Sequence, residues 1–399
     1  MSLYDLTEPD LRANSAFARI RLLIVDDSAL MRQMIAEIFE QEADFEVVGT
    51  ARNGEEALQK TLELRPDILT LDVQMPRMDG LTCLKQLMVV RPTRVVMLSV
   101  QTTEGAEVTL EALRFGAIDF VSKPSGSISL NLLTRGREIV DVVRRAAQAR
   151  LVSLHSPSSS EVSLTNTPSL AQFSPLTSQK PTSQRRVVVI AASTGGPAAL
   201  DTLMPGLDSN LNATYLLIQH LPLGFTKMFA QRLNNLCALE VTEAKPESEL
   251  KRGCLLVAPA GFHLEISGDG KVVLNENPPL WGVRPAADVV FHSVAARFGG
   301  AAIGVVLTGM GRDGASGAKA VKAAGGICIA QDEETSVVYG MPRAAVEAGG
   351  IARVLPLQNM ADALNTLIST GQLPTTNGGR DALVLPGAPH GNSLFQSLL

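Results

Sequence analysis

The sequence predicts two consecutive α/β domains, a doubly wound, flavodoxin-like one and a Rossmann-like one, each on a mainly parallel sheet. Short aliphatic runs alternate with amphipathic segments from Arg21 to about Arg150, a pattern that builds parallel sheets covered by helices. The same alternation resumes at Arg186 and continues to about Thr370. Between them, residues 153–184 are rich in Ser, Thr and Pro, hold no hydrophobic period and are too polar to form a core. The chain has 399 residues, enough for two ordinary domains. The expected division is an extension over 1–19, a first domain over 20–143, a linker over 150–185, a second domain over 186–371 and a tail over 372–399.

Composition narrows the class. Hydrophobic residues make up 45% and charged residues 19%, as in a soluble globular protein, and with only 4% aromatics the cores must be aliphatic. The net charge of −5 argues against a nucleic-acid partner. Four scattered cysteines without a CxxC pair read as reduced core thiols. The start, MSLYDLTEPDLRANSAF, lacks the apolar segment of a signal peptide, and no apolar run is long enough to span a bilayer. A cytoplasmic protein with no direct membrane insertion is expected.

In the first domain, strands are expected at Leu22–Val25, Val47–Thr50, Ile68–Leu71, Val95–Leu98 and Asp119–Val121, with helices such as Leu30–Glu40 and Glu55–Glu63 between them. Asp26 and Asp27 close the first strand, Asp72 the third, Ser99 the fourth, and Lys123 the fifth. In a doubly wound sheet those ends meet at one edge. Three clustered carboxylates repel one another unless a hard cation such as Mg²⁺ neutralises them. An aspartate so neutralised can attack a phosphoryl group, with the lysine balancing charge. Any single Asp after a strand could equally be a helix cap.

The motifs LLIVDDSALMR, PDILTLDVQMPRMDGL, VVMLSV and GAIDFVSKP resemble the response-regulator receiver family over about Arg21 to Val143. The resemblance implies that Asp72 accepts phosphate from a sensor histidine kinase. It implies that Asp26, Asp27, Asp72 and the backbone carbonyl of Gln74 hold Mg²⁺. Ser99, Phe120 and Lys123 then match the positions that respond to the phosphoryl group.

In the second domain, strands are expected at Val187–Ala191, Thr214–Gln219, Cys254–Ala258, Lys271–Leu274, Ile303–Leu307 and Ile327–Ala330, and helices at Ala286–Arg297 and Ala315–Ala324. Ser193 follows the first of these strands and precedes Thr194-Gly195-Gly196-Pro197. A hydroxyl there lies where open α/β sheets bind ligands, beside helix N–H groups free to meet a developing anion. Serine needs a base. His155 and His390 fall in the linker and tail, and His292 lies in a helix. His220 ends the next strand at the same edge and is the first choice, with His263 second. Asp313, in Thr308-Gly309-Met310-Gly311-Arg312-Asp313-Gly314, is the candidate orienting acid or else a helix cap. The order Ser193, His220, Asp313 matches none of the three familiar triad orders, and no GxSxG elbow is present.

VVVIAASTGGP, YLLIQHLPLGFTKMFAQRLN, LLVAPAGFHLEI, RPAADVVFHSVA, VVLTGMGRDGASG and MPRAAVEAG resemble the catalytic domain of chemotaxis protein-glutamate methylesterases over most of Arg186 to about Leu367. The resemblance implies Ser193 as nucleophile, His220 as general base and Asp313 as orienting acid. Backbone N–H groups at Thr194, Gly195 and Met310 would form the oxyanion hole, with no cofactor in this domain. It also implies hydrolysis of glutamate methyl esters on chemoreceptors, deamidation of receptor glutamines, and a receiver that covers the site until phosphorylated. Two positions depart from the family pattern. Ala191 stands where glycine is common, and Leu280-Trp281-Gly282-Val283 precedes Arg284 where a histidine often does. The rival readings are a catalytically silent, phosphorylation-dependent adaptor and a transcription factor, the latter without any basic helix-turn-helix pattern.

Overall fold

The computed structural model describes residues 19–99, 103–123, 131–150 and 185–374. Nearly all of the expected extension, linker and tail falls outside these residues. The first sheet has five parallel strands in the order β2-β1-β3-β4-β5: β1 (Ile20–Val25), β2 (Phe45–Ala51), β3 (Ile68–Asp72), β4 (Arg94–Ser99) and β5 (Asp119–Ser122). Between them run α1 (Ala29–Glu40), α2 (Gly54–Leu64), α3 (Gly80–Val90) and α4 (Thr103–Arg114), and α5 (Asn131–Ala147) follows β5. This is the doubly wound arrangement expected, with its switch point between β1 and β3.

Local chemistry sets the helix starts. Ser28, Asn53 and Asp79 precede α1, α2 and α3 and accept the N–H groups of Met31, Glu56 and Thr82, each satisfying one orphan donor of a first turn. Arg65 closes α2 in the left-handed conformation, and Pro66 follows it. Helix α5 extends to Ala147, past position 143.

The second sheet has seven strands in the order β14-β13-β12-β6-β7-β9-β8: β6 (Arg186–Ala192), β7 (Ala213–Gln219), β8 (Glu240–Glu243), β9 (Cys254–Val257), β12 (Ala302–Val306), β13 (Ile327–Gln331) and β14 (Arg353–Leu355). All its pairings are parallel. The chain moves from β6 to one side through β7 and returns on the other as β12, so the switch point is the crevice beside β6. Helices α6 (Gly196–Leu203), α7 (Thr226–Asn234), α8 (Ala287–Phe298), α9 (Ala315–Ala323), α10 (Met341–Glu347) and α11 (Leu357–Thr370) cover its two faces.

Two features differ from the sequence expectation. The strand expected at Lys271–Leu274 is β11 (Val272–Asn275), and it pairs antiparallel with β10 (His263–Ile266) as a separate hairpin. Strands β8 and β14 were not foreseen, because each is short and weakly patterned; Val241 is the only buried residue of β8. Among the described residues, no helix is long and apolar enough to cross a membrane.

One packing contact governs where the loop after β12 lies. Phe291 on α8 is fully buried against α9, and a Cβ at Gly317 would come within 2.2 Å of the Phe291 Cβ. Glycine at 317 thus permits the two helices to touch. Phe291→Ala is expected to lower the folding free energy of this domain by about 3–5 kcal/mol, through lost burial and an unfilled cavity. Denaturant unfolding monitored by circular dichroism measures it.

Candidate active site

Ser193 and His220 are neighbours by register. Ala192 pairs with Gln219 across β6 and β7, so the next residue of each strand leaves the sheet at the same edge. The His220 N–H donates to Ala192 O at 3.2 Å. The Ser193 carbonyl accepts from Gln219 Nε2 at 2.9 Å, and its N–H donates to Thr308 O at 3.1 Å, which ties the β6 loop to the β12 loop. Gly309 permits that approach, since a Cβ there would lie 2.8 Å from the Ser193 Cβ.

Asp313 reaches the same edge from the loop after β12. Its Oδ2 lies 2.9 Å from His220 Nε2. The carboxylate also accepts two backbone N–H groups at the start of α8, Ala287 N to Oδ2 at 2.6 Å and Asp288 N to Oδ1 at 2.9 Å. A buried carboxylate held by three hydrogen bonds is fixed in position, as an orienting acid must be. With Nε2 donating to Asp313, Nδ1 is the ring nitrogen left to act as base. No hydrogen bond joins the Ser193 hydroxyl to the ring in this arrangement, which is common before substrate is bound. Among the described residues, the N–H groups of Thr194, Gly195 and Met310 have no acceptor. They are donors available to an oxyanion.

His263 has a different surrounding. It is buried, its Nδ1 accepts the Ala286 N–H at 3.2 Å, and its Nε2 lies 3.1 Å from Pro278 O. Both nitrogens are engaged, so it pins the loop before α8 and is not free to be a base. His292 is exposed and pairs with the Ser316 hydroxyl. Asp288 is the residue the sequence reading missed. Its Oδ1 accepts the Gly317 N–H at 2.6 Å and its Oδ2 the Trp281 Nε1–H at 2.9 Å, while its own N–H holds Asp313. Burial pushes its carboxyl up, against the opposing pull of those two donors. The only sequence signal was an acid in the first turn of a helix, which normally reads as capping.

The acidic cluster forms in the first domain. Oxygens of Asp26, Asp27 and Asp72 lie within 4.8 Å of one another. Lys123 Nζ is 2.8 Å from Asp26 Oδ2 and 2.7 Å from Asp72 Oδ2. Burial pushes the Asp72 carboxyl up to about 6, with Lys123 pulling the other way. An all-oxygen donor set of three convergent carboxylates, two of them buried, suits Mg²⁺. The Ser99 hydroxyl accepts from Thr109 at 2.9 Å.

The two sites meet across the domain interface. Thr194, next to Ser193, donates its hydroxyl to Asp119 Oδ2 at 2.6 Å. Burial pushes the Asp119 carboxyl up, opposed by the Thr194 hydrogen bond. Phe120 stacks on Phe225 of the second domain with ring centroids 4.7 Å apart. The Arg150 N–H donates to Val337 O at 2.9 Å, and its guanidinium pairs with Glu333 at 3.2 Å. Strand β5 of the first domain therefore sits on the edge that carries Ser193.

Comparison with known proteins accords with both halves. The family model described as CheB methylesterase matches residues 188–364, and the response regulator receiver domain matches residues 22–134. A protein-glutamate methylesterase/protein-glutamine glutaminase of Symbiobacterium thermophilum is 45% identical over 88% of this chain and 98% of its own. The chain belongs to the CheB methylesterase family. A protein of the same description from Geobacillus kaustophilus is 44% identical, over 88% of this chain and 99% of that one. The crystal structure of the Thermotoga maritima CheB methylesterase catalytic domain is 41% identical and covers 46% of this chain and all of its own, with a TM-score of 0.45.

Mg²⁺ is expected to stabilise the receiver half by about 1.4 kcal/mol at ten times its Kd. The effect should weaken as pH falls through about 6, where a proton competes for Asp72. Asp27→Ala, at an exposed position, should remove the effect; thermal unfolding with and without Mg²⁺ measures both.

Proposed function

We propose that this CheB-family chain is a protein-glutamate methylesterase and protein-glutamine glutaminase of chemoreceptors, switched on by phosphorylation of Asp72. The observation that carries the reading is the His220–Asp313 hydrogen bond at the edge where Ser193 emerges. His220 Nδ1 takes the Ser193 proton as Oγ attacks the side-chain carbonyl of a glutamate γ-methyl ester. The oxyanion is held by the N–H groups of Thr194, Gly195 and Met310, and the loss of one such donor typically costs about 3–4 kcal/mol. The tetrahedral adduct expels methanol, protonated by His220, and leaves an acyl-serine. Water, deprotonated by the same ring, then releases the glutamate carboxylate and restores Ser193. A glutamine amide follows the same course with ammonia as leaving group. Asp313 stabilises the imidazolium formed in each half-reaction.

The receiver supplies the control. Asp26, Asp27, Asp72 and the Gln74 carbonyl would hold Mg²⁺, which supplies positive charge to the acyl-phosphate of Asp72 when bound. A chemotaxis histidine kinase would be the phosphodonor. Ser99 and Lys123 are the groups beside the new phosphoryl, and Phe120 is the ring that both responds to it and packs on Phe225. A shift of Phe120 would weaken the seat of β5 against Thr194 and open the ester site.

Methanol release from a methylated receptor fragment tests the reading. Ser193→Ala should reduce turnover by at least ~10³-fold. A small phosphodonor with Mg²⁺ should stimulate the wild type and leave Asp72→Ala unchanged. Asp119→Lys, which places a cation against the second domain, should raise turnover without phosphodonor. Phosphate uptake with no methanol release under any condition would instead support the silent adaptor.

A further inference from the structure

Beside the triad lies a cleft, with charged side chains in its wall, that the ester chemistry does not use. It has a volume of about 630 Å³ and is lined by Trp281, Asp288, Arg312, Ser316, Lys319 and Glu347, among others. It shares a wall with the active site, because Asp288 lines the cleft and its N–H holds Asp313. Arg312 directly precedes Asp313. Its Cα is two peptide units from that of Met310, so the two are at most ~7.6 Å apart.

The two cations of this cleft have no anionic partner among the described residues. The Glu347 carboxylate is paired with Arg343 at 2.8 Å, and both Asp288 oxygens are taken by the Gly317 N–H and the Trp281 indole. Arg312 and Lys319 are exposed and make no ion pair among the described residues. Arg312 is nevertheless held in place, with its guanidinium 4.7 Å from the Trp281 ring centroid. The indole is anchored by its own bond to Asp288. Two uncommitted cations, one of them positioned on an aromatic face, are built to take an anion. The cleft is open with the receiver seated, since Trp281 remains 49% exposed.

We infer that Arg312 and Lys319 form a subsite for a carboxylate side chain of the substrate protein, one helical turn from the ester being cleaved. This inference rests on the esterase reading above and adds a determinant of substrate choice to it. A helical turn advances about 5.4 Å, which lies within the ~7.6 Å bound on the separation of the Met310 and Arg312 Cα atoms. The reaction itself makes such carboxylates. Each ester or amide hydrolysed leaves a glutamate, so a segment with several modified positions gains anions as it is processed. The subsite would thus favour a site whose neighbour has already been converted. Trp281 and Asp288 act as positioning residues for Arg312.

The test uses the full chain and two alanine-based helical peptides with one central glutamate γ-methyl ester. One carries glutamates one turn to either side, and its twin carries glutamines there. The wild type should show a lower KM for the glutamate peptide, by about three- to fivefold per cation engaged, with kcat alike for both. Arg312→Gln combined with Lys319→Gln should erase that difference and leave both peptides with the KM of the twin. Trp281 is the only tryptophan of the chain, so its fluorescence reports binding without turnover. For peptides carrying an uncleavable central norleucine, saturation should occur at lower concentration with glutamate flanks. The subsite is overturned if the wild type treats the twins alike in either measurement. It is equally overturned if the double variant keeps the preference, or lowers kcat on both peptides without erasing it. Charge-selective binding with no ester turnover would sink the esterase reading and leave the subsite standing. Turnover with charge-blind binding would do the reverse.

Discussion

The fixed point of the second domain is the Asp313 carboxylate. It is nearly fully buried, and a buried charge is tolerable only when its lone pairs are occupied. Here two N–H groups from the start of α8 and the His220 ring occupy them. The start of a helix carries partial positive charge, so α8 compensates Asp313 through its backbone as well as through the two hydrogen bonds. Every other feature of the site is arranged about that group. Phe291 holds α8 against α9, Gly309 lets the loop approach Ser193, and Asp288 braces the first turn of α8 from behind.

Strand β5 joins the two halves of the molecule. Its first residue, Asp119, accepts from Thr194, its second, Phe120, packs on Phe225, and Lys123 directly after it binds Asp26 and Asp72. At about 3.3 Å per residue, these groups span little more than ~13 Å of backbone. The proposed coupling between the acidic cluster and the serine would therefore require no extended chain of intermediates, only movement of one short strand and its side chains.

Much of this could be read from strand ends alone. The aliphatic runs that became β1, β3, β6, β7 and β12 are buried along nearly their whole length, and such runs announce themselves. Once their ends are known, the residues that follow them share an edge by topology. What stayed hidden has a common cause. Strand β8 buries one residue and β14 spans three, so neither leaves a period to detect. Asp288 resembles any acid in a first helical turn until the loop carrying Asp313 is folded over it. The difference between His220 and His263 is likewise tertiary: both follow or begin apolar strands, and only the fold shows that Ala286 N and Pro278 O take up the second ring. The stacking of Arg312 on Trp281 joins residues 31 positions apart in sequence and has no local signature.

The seat of β5 on the Ser193 edge also sets a bound on how well such a switch can perform. In the proposed switch, a docked receiver and a free one are two populations, and the leak of the resting enzyme is the fraction that is undocked. Moving from one part in a hundred open to ninety-nine requires about 5.5 kcal/mol of preference for the open state. Each added contact like Thr194–Asp119 would lower the leak and, by the same amount, raise what the phosphoryl group must overcome. A polar, titratable group at the centre of the contact keeps that balance adjustable, because its attachment is strong in the dry interface and weak once water enters. Quiet at rest and response to signal are then a single quantity, read in opposite directions.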